Sequence, residues 1–437
     1  MTSVEADHRE YVLRVARERD VRYVRIWFVD VLGLLKSVAI AVSELEAALE
    51  HGVGIDGSAL EGVARMAERD VIAVPDPTTF QILPWCQGGV VARMFCDVSQ
   101  TDDRPFPGDS RHALRRMLDR AGELGFTLLV GCEMEFFVFA GGGPEIAPRP
   151  LDSGAYLDLT TLDVGSEFRG LTIDYLEQMG IPTSSSHHED APSQHEIDLQ
   201  HMDALSMADA VTTFRVAVKE AARELGTEAT FMPQPLEAQP GSGMHLHMSL
   251  FTPDGNAFHS ADPAEPLTPV GRAFLAGVLT HAREITAVTN QWVNSYKRLA
   301  RGGEAPQRIG WTRFGDNGLV RIPSRRQSSE ASARIELRSP DPGCNPYLAF
   351  AIVLAAGLRG IEHGYELVPE DPGPAMSGPP LPEDLREATD LFATSELVRD
   401  TFGEFLCDRY VRNKRSEWAD YRTTVSDFER RRYLGLM

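Results

Sequence analysis

The stretch that decides the fold is the run Gly131-Cys132-Glu133-Met134-Glu135-Phe136-Phe137-Val138-Phe139. Apolar and aromatic residues dominate it, which is typical of a strand in a protein core. Side chains alternate along a strand, so Glu133 and Glu135 emerge on the same face. A solvated polar face would explain such a pair, but the aromatic run that follows favours burial. Two carboxylates buried side by side repel each other, and a divalent metal ion would stabilise them.

Composition and charge narrow the class of protein. The chain has 437 residues, of which 43% are hydrophobic and 24% charged, so a large core and more than one domain are expected. The formal net charge is -21 and no basic run is present. Nucleic acid is therefore excluded as a partner, and an anionic membrane surface is disfavoured.

The cysteines and the apolar runs bear on location. The five cysteines are scattered without a Cys-x-x-Cys pair, which is typical of a reduced protein without a zinc site. No apolar run is long enough to span a bilayer. We therefore expect a cytoplasmic protein.

Hydrophobic patterning divides the chain into two parts. Residues up to about 100 are rich in strands, with a helix at about 5–20 and a second helix begun by a Ser43/Glu46 capping box. The Pro- and Gly-containing run 104–109 predicts a boundary, so we expect domains at 1–105 and 106–437. Helices are predicted after that boundary at about 110–125, 168–179, 207–225, 269–288, 346–363 and over much of 381–421.

Three further stretches carry residues suited to chemistry. The first, 187–196, contains two His-Glu sequences that bracket a Pro-containing turn. The second, 241–247, places His245 and His247 on one strand face after a glycine-rich loop. The third, 334–338, alternates charged and apolar residues, so its two arginines share a face with Glu336.

Together these stretches supply carboxylates and an imidazole but no thiolate, which is a ligand set suited to Mg²⁺ or Mn²⁺. Such ions neutralise nucleotide phosphates and stabilise a phosphoryl group in transfer. Each stretch alone is weak evidence, since a lone His-x-His is more often part of a core or surface. A metal nuclease does not fit the net charge.

The chain resembles the glutamine synthetase family of the bacterial type I class. Motifs occur in family order over nearly the whole chain, at residues 55–58, 131–139, 187–197, 229–239, 241–250, 294–298, 302–306 and 334–350. The resemblance implies an α+β fold. It implies a small N-terminal β-grasp-like domain and a large C-terminal catalytic domain with a curved antiparallel sheet flanked by helices.

The resemblance also implies ligands for two or three Mg²⁺ or Mn²⁺ ions per site, beside ATP as cosubstrate. One ion would be held by Glu135, Glu189 and Glu196. The other would be held by Glu133, His245 and Glu336, and it would bridge the phosphates of ATP.

Further positions match substrate residues of the family. Those that match nucleotide-contacting positions are His247, Ser249, Arg321 and Arg334. Those that match glutamate-binding positions are Arg298, Arg338 and Gly241. Glu304 matches a catalytic glutamate of a closing flap, and Asp56 and Asp70 match positions at the ammonium site. Asp56 would reach in from a neighbouring subunit, because the family works as stacked hexameric rings, which implies a homododecamer.

The chain departs from the family pattern at four positions. Pro240 replaces an Asn that helps to bind glutamate, Ala59 replaces a Ser of the ammonium loop, and Gln234 replaces a Lys. Asp316 stands where an Arg normally faces the phosphate, and an Asp there would repel phosphate. Either Arg313 takes over that role or phosphoryl transfer is weakened.

Pro240, Trp292 and the run 24–30 resemble an actinobacterial subgroup that joins glutamate to amines such as polyamines. The leading hypothesis is therefore an ATP-dependent glutamate–amine ligase that forms a γ-glutamyl amide through γ-glutamyl phosphate. One alternative is a glutamine synthetase that uses ammonia. Another is a catalytically silent relative with a regulatory or scaffold role, which Asp316 and Gln234 favour.

Overall fold

The first part of the chain forms a six-stranded sheet with two helices. The computed structural model describes residues 3–62, 69–141, 148–159, 165–262, 265–315, 317–324, 330–371 and 376–436. The elements of the first part are α1 (Ser3–Glu18), β1 (Tyr23–Val29), β2 (Leu35–Ala41), α2 (Leu45–His51), β3 (Val53–Asp56), β4 (Asp70–Pro75), β5 (Gln81–Ile82) and β6 (Val91–Gln100).

This first sheet has the strand order β2-β1-β6-β4-β3, with β5 added to β6. The pair β1/β6 is parallel, and the other pairs are antiparallel. Its apolar face packs under α1 and α2 around Val24, Ile26, Leu45 and Met94. The expected β-grasp domain is confirmed.

The second part of the chain holds the larger sheet and most helices. Its elements are α3 (Ser110–Glu123), β7 (Thr127–Ala140), α4 (Ser166–Gln178), β8 (Thr183–His188), β9 (Gln194–Asp203), α5 (Ala204–Glu224), β10 (Thr227–Thr230), β11 (Met244–Thr252), β12 (Gly255–Asn256), α6 (Pro269–Thr289), α7 (Val293–Arg301), β13 (Trp311–Thr312), β14 (Val320–Arg321), β15 (Ile335–Leu337), α8 (Pro346–His363), α9 (Leu385–Thr394), α10 (Glu396–Thr423) and α11 (Asp427–Tyr433).

The second sheet has the strand order β13-β14-β15-β11-β7-β9-β8, with β10 added to β7 and β12 added to β11. It is antiparallel except for the short pair β13/β14. Helices α3 and α5 cover β7, and α4 packs on β8. The predicted α+β class, with helices flanking a mostly antiparallel sheet, is confirmed.

Helix α8 forms the centre of the helical layer. It contacts α3, α5, α6 and α10, and nearly every one of its residues is buried. A helix that is apolar on all sides is stable only when it is surrounded. Asn345 caps its start by accepting hydrogen bonds from the main-chain N–H groups of Tyr347 and Leu348, and Gly364 ends it with a left-handed φ of 62°.

Several details differ from the sequence predictions. The Ser43/Glu46 capping box is wrong, because a 3-10 turn over Val42–Glu44 precedes α2 and Glu44 caps it without a side-chain bond. The helical region 381–421 is interrupted at Ser395, between α9 and α10, and α10 is itself kinked at Gly403, whose φ is 77°. Helices α7 and α11 were not predicted. The boundary at residue 105 stays a prediction. Among the described helices, none has the length and apolarity to cross a membrane.

Candidate active site

The candidate site is a row of polar side chains that crosses one face of the second sheet. The strand register places Glu133 of β7 opposite His245 of β11, and His247 of β11 opposite Glu336 of β15. Arg321 of β14 also lies opposite Glu336. Residues paired across neighbouring strands share a face, so the register alone brings these groups together.

The row continues to the other edge of the sheet. Glu135 of β7 lies opposite Glu196 of β9, and His187 of β8 lies opposite the same Glu196. The β8–β9 hairpin turns over the residues between them, which brings Glu189 back beside Glu196. The two His-Glu sequences noted in the sequence are therefore the two arms of one hairpin.

A first cluster of ligand atoms comprises Glu133, His245 and Glu336, whose atoms lie within 4.8 Å of one another. The Nδ1 atom of His245 lies 2.9 Å from Glu133 Oε2 and 3.6 Å from Glu336 Oε1. The Nε2 atom of His245 is buried and has no hydrogen-bond partner among the described residues. Such an arrangement leaves one imidazole nitrogen open to a ligand.

A second cluster comprises His187, Glu189 and Glu196, with the same 4.8 Å limit. His187 Nδ1 lies 3.4 Å from Glu189 Oε1, and His187 Nε2 lies 3.2 Å from Glu196 Oε1. The resemblance implied Glu135 in this set. Glu135 lies beside it and accepts a hydrogen bond of 2.9 Å from Gln194 Nε2.

The two clusters differ in their electrostatics. Burial and the neighbouring Glu135 charge raise the pKa of Glu189 to about 9, and the same causes raise the pKa of Glu196 well above its usual range. Burial opposes ionisation of Glu133 and Glu336 as well, but the histidines beside them outweigh it and lower both pKa values. The second cluster thus lacks the positive charge that its carboxylates need.

These donor sets fit divalent cations. The clusters offer carboxylate oxygens and imidazole nitrogens without a thiolate, which suits Mg²⁺ or Mn²⁺. The raised pKa values of Glu189 and Glu196 show crowded, unbalanced negative charge, which a cation would neutralise.

Two arginines face the first cluster. Arg338 donates from Nη1 to Glu336 Oε1 at 2.6 Å, and its Nη2 lies 3.5 Å from Glu304 Oε2. Arg321 donates to the other Glu336 oxygen at 3.4 Å. Glu304, for which the resemblance implies a flap role, thus lies near the first cluster and is itself exposed.

Arg298 and Gly241 lie together, as the resemblance implied. Buried Arg298 donates to the main-chain carbonyls of Arg338, Ser339 and Pro340. A β-carbon at Gly241 would lie 2.3 Å from the carbonyl oxygen of Pro233, so no other residue fits at this position. The main chain of this loop can therefore approach a ligand closely.

Two of the predicted nucleotide residues, His247 and Arg334, line a cavity beside the row. Arg334 Nε donates to His247 Nδ1 at 3.0 Å, and Ser249 is buried two residues further along β11. A cavity of about 430 Å³ opens there, and it is lined by Glu133, His247, Arg334 and also His201, which sequence reasoning missed.

Asp56 and Asp70 lie in the first sheet, opposite each other on the β3–β4 hairpin. Asp56 accepts hydrogen bonds from Ser58 and from the main-chain N–H of Arg69. Strand β3 is the last strand on its side of that sheet. Its free edge is compatible with the expectation that Asp56 serves a neighbouring subunit.

The departures from the family pattern have different outcomes. Arg313 donates from its main-chain N–H and from Nε to Glu370, at 2.8 and 2.9 Å, and its role at the phosphate stays a prediction. Asp316 lies outside the described residues. Gln234 donates to the main-chain carbonyls of Leu236 and Gln239. These two hydrogen bonds hold the loop before Gly241 in its conformation.

Sequence reasoning missed three residues of the site besides His201. His187 stood in a quoted stretch without a role, and the spacing of two between His187 and Glu189 was the available signal. Gln194 orients Glu135. The Tyr156 ring lies edge-on to His187, with centroids 5.4 Å apart, and no local pattern pointed to it.

Comparison with known proteins agrees with this geometry. The family models "Glutamine synthetase, beta-Grasp domain" and "Glutamine synthetase, catalytic domain" match residues 20–101 and 107–433. The glutamine synthetase of Mycobacterium tuberculosis (strain ATCC 25618 / H37Rv) is 52% identical over 442 residues, which cover 98% of this chain and 99% of that protein. The glutamine synthetase of Methanosarcina mazei is 43% identical over 449 residues, which cover 98% of each.

The fold also matches solved structures over nearly the whole chain. The structure "Apo GmaS without ligand" matches with a TM-score of 0.87 and 32% identity, over 97% of this chain and 99% of that one. The structure "GmaS/ADP complex-Conformation 1" matches with a TM-score of 0.86 and the same identity and coverage. The chain therefore belongs to the glutamine synthetase family of ATP-dependent ligases.

Proposed function

We propose that this enzyme joins the γ-carboxylate of glutamate to an organic amine and forms a γ-glutamyl amide. The observation that carries the proposal is the environment of Tyr156, beside the second cluster. The Tyr156 ring is exposed and lies edge-on to His187, with centroids 5.4 Å apart, and desolvation together with the charges of Glu189, Glu196 and Glu304 raises the pKa of its hydroxyl. An aromatic ring among carboxylates suits an alkylammonium ion, which is attracted to both.

The same loop offers surface for the hydrocarbon part of an amine. Leu157 directly follows Tyr156, Leu159 comes two residues later, and both are exposed. Two exposed leucines on the loop of Tyr156 would offer apolar surface to an alkyl chain, which ammonia lacks.

The reaction would proceed in two steps. An oxygen of the glutamate γ-carboxylate attacks the terminal phosphorus of ATP, so that γ-glutamyl phosphate forms and ADP leaves. The amine nitrogen then attacks the acyl carbon, phosphate leaves, and the nitrogen loses a proton to Glu304. Arg298 and Arg338 would orient the glutamate carboxylates by paired hydrogen bonds, and the main chain of Gly241 would meet the amino group.

The other residues would act around these steps. Nucleotide would contact His247, Ser249, Arg321 and Arg334, with Arg321 also compensating charge on the phosphate in transfer. Asp56 and Asp70, from a neighbouring subunit, would hold the ammonium form of the acceptor. Glu304, as a flap, would exclude water, because γ-glutamyl phosphate hydrolyses.

The two clusters would hold Mg²⁺ or Mn²⁺, with two or three ions per site. One ion would be held by Glu133, His245 and Glu336, and another by Glu189 and Glu196 with Glu135 or His187 as the third ligand. When bound, these ions supply positive charge that offsets the charge of the phosphates and the γ-carboxylate.

We also propose a cytoplasmic dodecamer built from two stacked hexameric rings. The support is the position of Asp56 and Asp70 in the first sheet, on a hairpin with a free edge. The mass of the native enzyme by light scattering would test it, and a monomer with full activity would contradict it.

Ammonia remains the rival acceptor, because the relatives at 52% identity carry the name glutamine synthetase. The test is phosphate release with ATP, glutamate and Mg²⁺ or Mn²⁺, across ammonia and a panel of mono-, di- and polyamines. We expect several amines to exceed ammonia in kcat/KM. Tyr156→Ala should lower kcat/KM for amines far more than for ammonia, and ammonia as the best acceptor throughout would contradict the proposal.

A catalytically silent scaffold is the second rival. Arg313 is held by Glu370 and Arg321 by Glu336, which leaves fewer cations for the phosphate. Both clusters are nevertheless complete, and their buried carboxylates are costly without a cation. An absence of ADP formation with every acceptor would favour the scaffold.

A further inference from the structure

A second deep cavity lies apart from the row of site residues. It has a volume of about 610 Å³ and lies between the loop after β1 and the helices α5, α7 and α10. Its walls are mostly apolar and include Leu34, Phe231, Trp292 and Tyr421. Its lining, all of it within the described residues, contains none of the cluster side chains. This size is typical of small-molecule sites.

Three cations line this cavity without an acidic partner. Arg215 and Lys219 lie one turn apart on α5, and Lys297 lies on α7. Among the described residues, no carboxylate lies within ion-pair distance of any of the three. Arg215 donates from Nη2 to the carbonyl of Cys344 at 2.6 Å, while its Nε is buried without a partner.

The one carboxylate in the lining is already neutralised. Glu417 accepts from the main-chain N–H of Val293 and from the ammonium of Lys414, both at 2.9 Å. Lys414 is fully buried and lies 4.3 Å from the centroid of the Trp292 ring. The cavity is therefore electropositive in a molecule whose formal net charge is -21.

The pKa values of two of these cations are lowered. Burial lowers the pKa of Arg215, and partial burial together with the Arg215 charge lowers the pKa of Lys219. An anion between them would relieve both effects.

We propose that this cavity is a second ligand site, which takes an anion with an aromatic or branched apolar body and is coupled to glutamate binding. The apolar walls would cover the body of the ligand, and the three cations would hold its anionic group. The inference does not depend on which amine is the acceptor.

The coupling follows from contacts between the cavity and the glutamate loop. Asn294, in the lining, exchanges two hydrogen bonds with the main chain of Gln234, at 2.7 and 3.0 Å. Pro233, also in the lining, accepts from the main-chain N–H of Ser242 at 2.8 Å, next to Gly241. A ligand that shifts these residues would move the loop that meets glutamate.

Helix α7 gives a second connection. Lys297 is exposed at the cavity, and the next residue, Arg298, is buried at the glutamate site. A ligand that pulls Lys297 inward would rotate or shift a short helix whose other side carries a glutamate-binding arginine. Glutamate affinity should respond, while the nucleotide residues on β11 and β15 should not.

The test compares two probes with one body, indole-3-acetate and its neutral amide, indole-3-acetamide. Calorimetry on the native full-length enzyme, without ATP or glutamate, should show the acetate binding once per chain and about tenfold more tightly than the amide. Saturating acetate should change the glutamate KM and leave the ATP KM unchanged.

Matched variants locate the binding. The double variant Lys219→Met, Lys297→Met should weaken acetate about tenfold and leave the amide unaffected. Arg223→Met, one turn further along α5 and paired with Glu220, is the control and should change neither. Equal binding of both probes, no binding, simple competition with glutamate or ATP, or an unchanged glutamate KM would each overturn the proposal.

Discussion

Glu189 and Glu196 are the residues whose chemistry depends most on a bound cation. Both are buried beside Glu135, and both have raised pKa values. Because the pKa of Glu189 is raised to about 9, the metal-free protein holds a proton on Glu189 at neutral pH, and a metal ion must displace it. Metal affinity at this site should rise with pH for that reason.

The first prediction is that the metal-free protein loses stability as the pH rises. Below the ordinary pKa of 4.5 both the folded and the unfolded state hold the proton of Glu189, and above about 9 neither does. Between these values the folded state binds more protons, so the free energy of unfolding falls with rising pH. Thermal unfolding in a chelator, from about pH 6 to about pH 8.5, measures the effect.

Two controls accompany that measurement. Added Mn²⁺ should restore stability most at the high end of the range. Glu189→Gln should flatten the pH dependence of the metal-free protein and remove much of the gain from Mn²⁺. A metal-free protein whose stability rises over the same range would contradict the electrostatic account.

The second prediction concerns Gln234, where the family usually has Lys. Gln234→Ala removes two hydrogen bonds that hold the loop before Gly241, each worth about 1 kcal/mol. We expect the glutamate KM to rise by roughly tenfold, with little change in the ATP KM. Gln234→Lys keeps a donor and should recover most of the loss.

Glu237→Ala is the control for Gln234, because Glu237 is exposed on the same loop. It should leave the glutamate KM near the wild-type value. If Gln234→Ala behaves like Glu237→Ala, the loop does not depend on these bonds.

At the scale of residues, the sequence indicated most of the side chains of the site. It did not show which of them form each of the two clusters. Strand alternation predicted that Glu133 and Glu135 share a face, and the register of β7 with β11 and β9 bears this out. Strand alternation could not show that His187 lies beside Glu196, because that contact depends on how β8 pairs with β9. Tyr156 reaches the site through a loop, for which no periodicity exists.

At the scale of elements, glycines bring α6 and α8 close together where the two helices cross. A β-carbon at Gly277 would lie 2.1 Å from the Ala356 carbonyl oxygen, and one at Gly360 would lie 2.1 Å from the Ala273 carbonyl oxygen. Each helix therefore approaches the main chain of the other, which only glycine permits. The crossing fixes α6 against α8, which is the centre of the helical layer.

The third prediction is that Gly360→Ala destabilises the protein by about 1–3 kcal/mol, because the helices must move apart. Gly122→Ala is the matched control, since it lies in α3 with nothing within 4 Å of its β-carbon. That control should stabilise by about 0.5–1 kcal/mol. Chemical unfolding measures both, and an equal effect of the two would contradict the packing.

The sequence predicted the helices that have a long apolar pattern. It did not predict a short polar helix or the point at which one helix ends and the next begins. The boundaries of α6 and α8 were predicted to within a residue or two. Helix α7 was not predicted because it is short and polar. The Ser295 hydroxyl accepts a hydrogen bond from the N–H of Trp292 at its start. The break between α9 and α10 rests on Ser395, whose hydroxyl caps α10 by accepting from the N–H of Val398.

At the scale of the whole molecule, Arg111 joins the two sheets. This buried arginine of α3 donates to Asp76 and Asp97 of the first part at 2.9 and 2.7 Å, and to Asp209 of α5 at 2.9 Å. Tyr347 of α8 also donates to Asp209, at 2.6 Å. One guanidinium therefore compensates carboxylates from both parts of the chain.

The fourth prediction is that Arg111→Met costs about 3–5 kcal/mol of stability, because it leaves buried carboxylates without a partner. Arg115→Met is the control, since Arg115 contacts Asp76 and Asp97 but is partly exposed, and it should cost less than about 1 kcal/mol. Chemical unfolding of both variants is the measurement. Similar losses would show that the interface does not depend on the buried charge.

The overall fold could be predicted because long motifs cover nearly the whole chain. What composition and spacing could not show is how the first sheet meets the second, since that depends on single polar contacts far apart in sequence. Gln291 donating to the Leu32 carbonyl at 2.8 Å is one example, and Asn345 donating to the carbonyls of Asp30 and Val31 is another.

The central claim is that two groups of side chains bind two divalent cations between nucleotide and glutamate. Anomalous diffraction from crystals grown with Mn²⁺ and a non-hydrolysable ATP analogue tests it directly. We expect one Mn²⁺ beside Glu133, His245 and Glu336, and another beside Glu189 and Glu196. Manganese bound elsewhere, or peaks at neither group, would contradict the account.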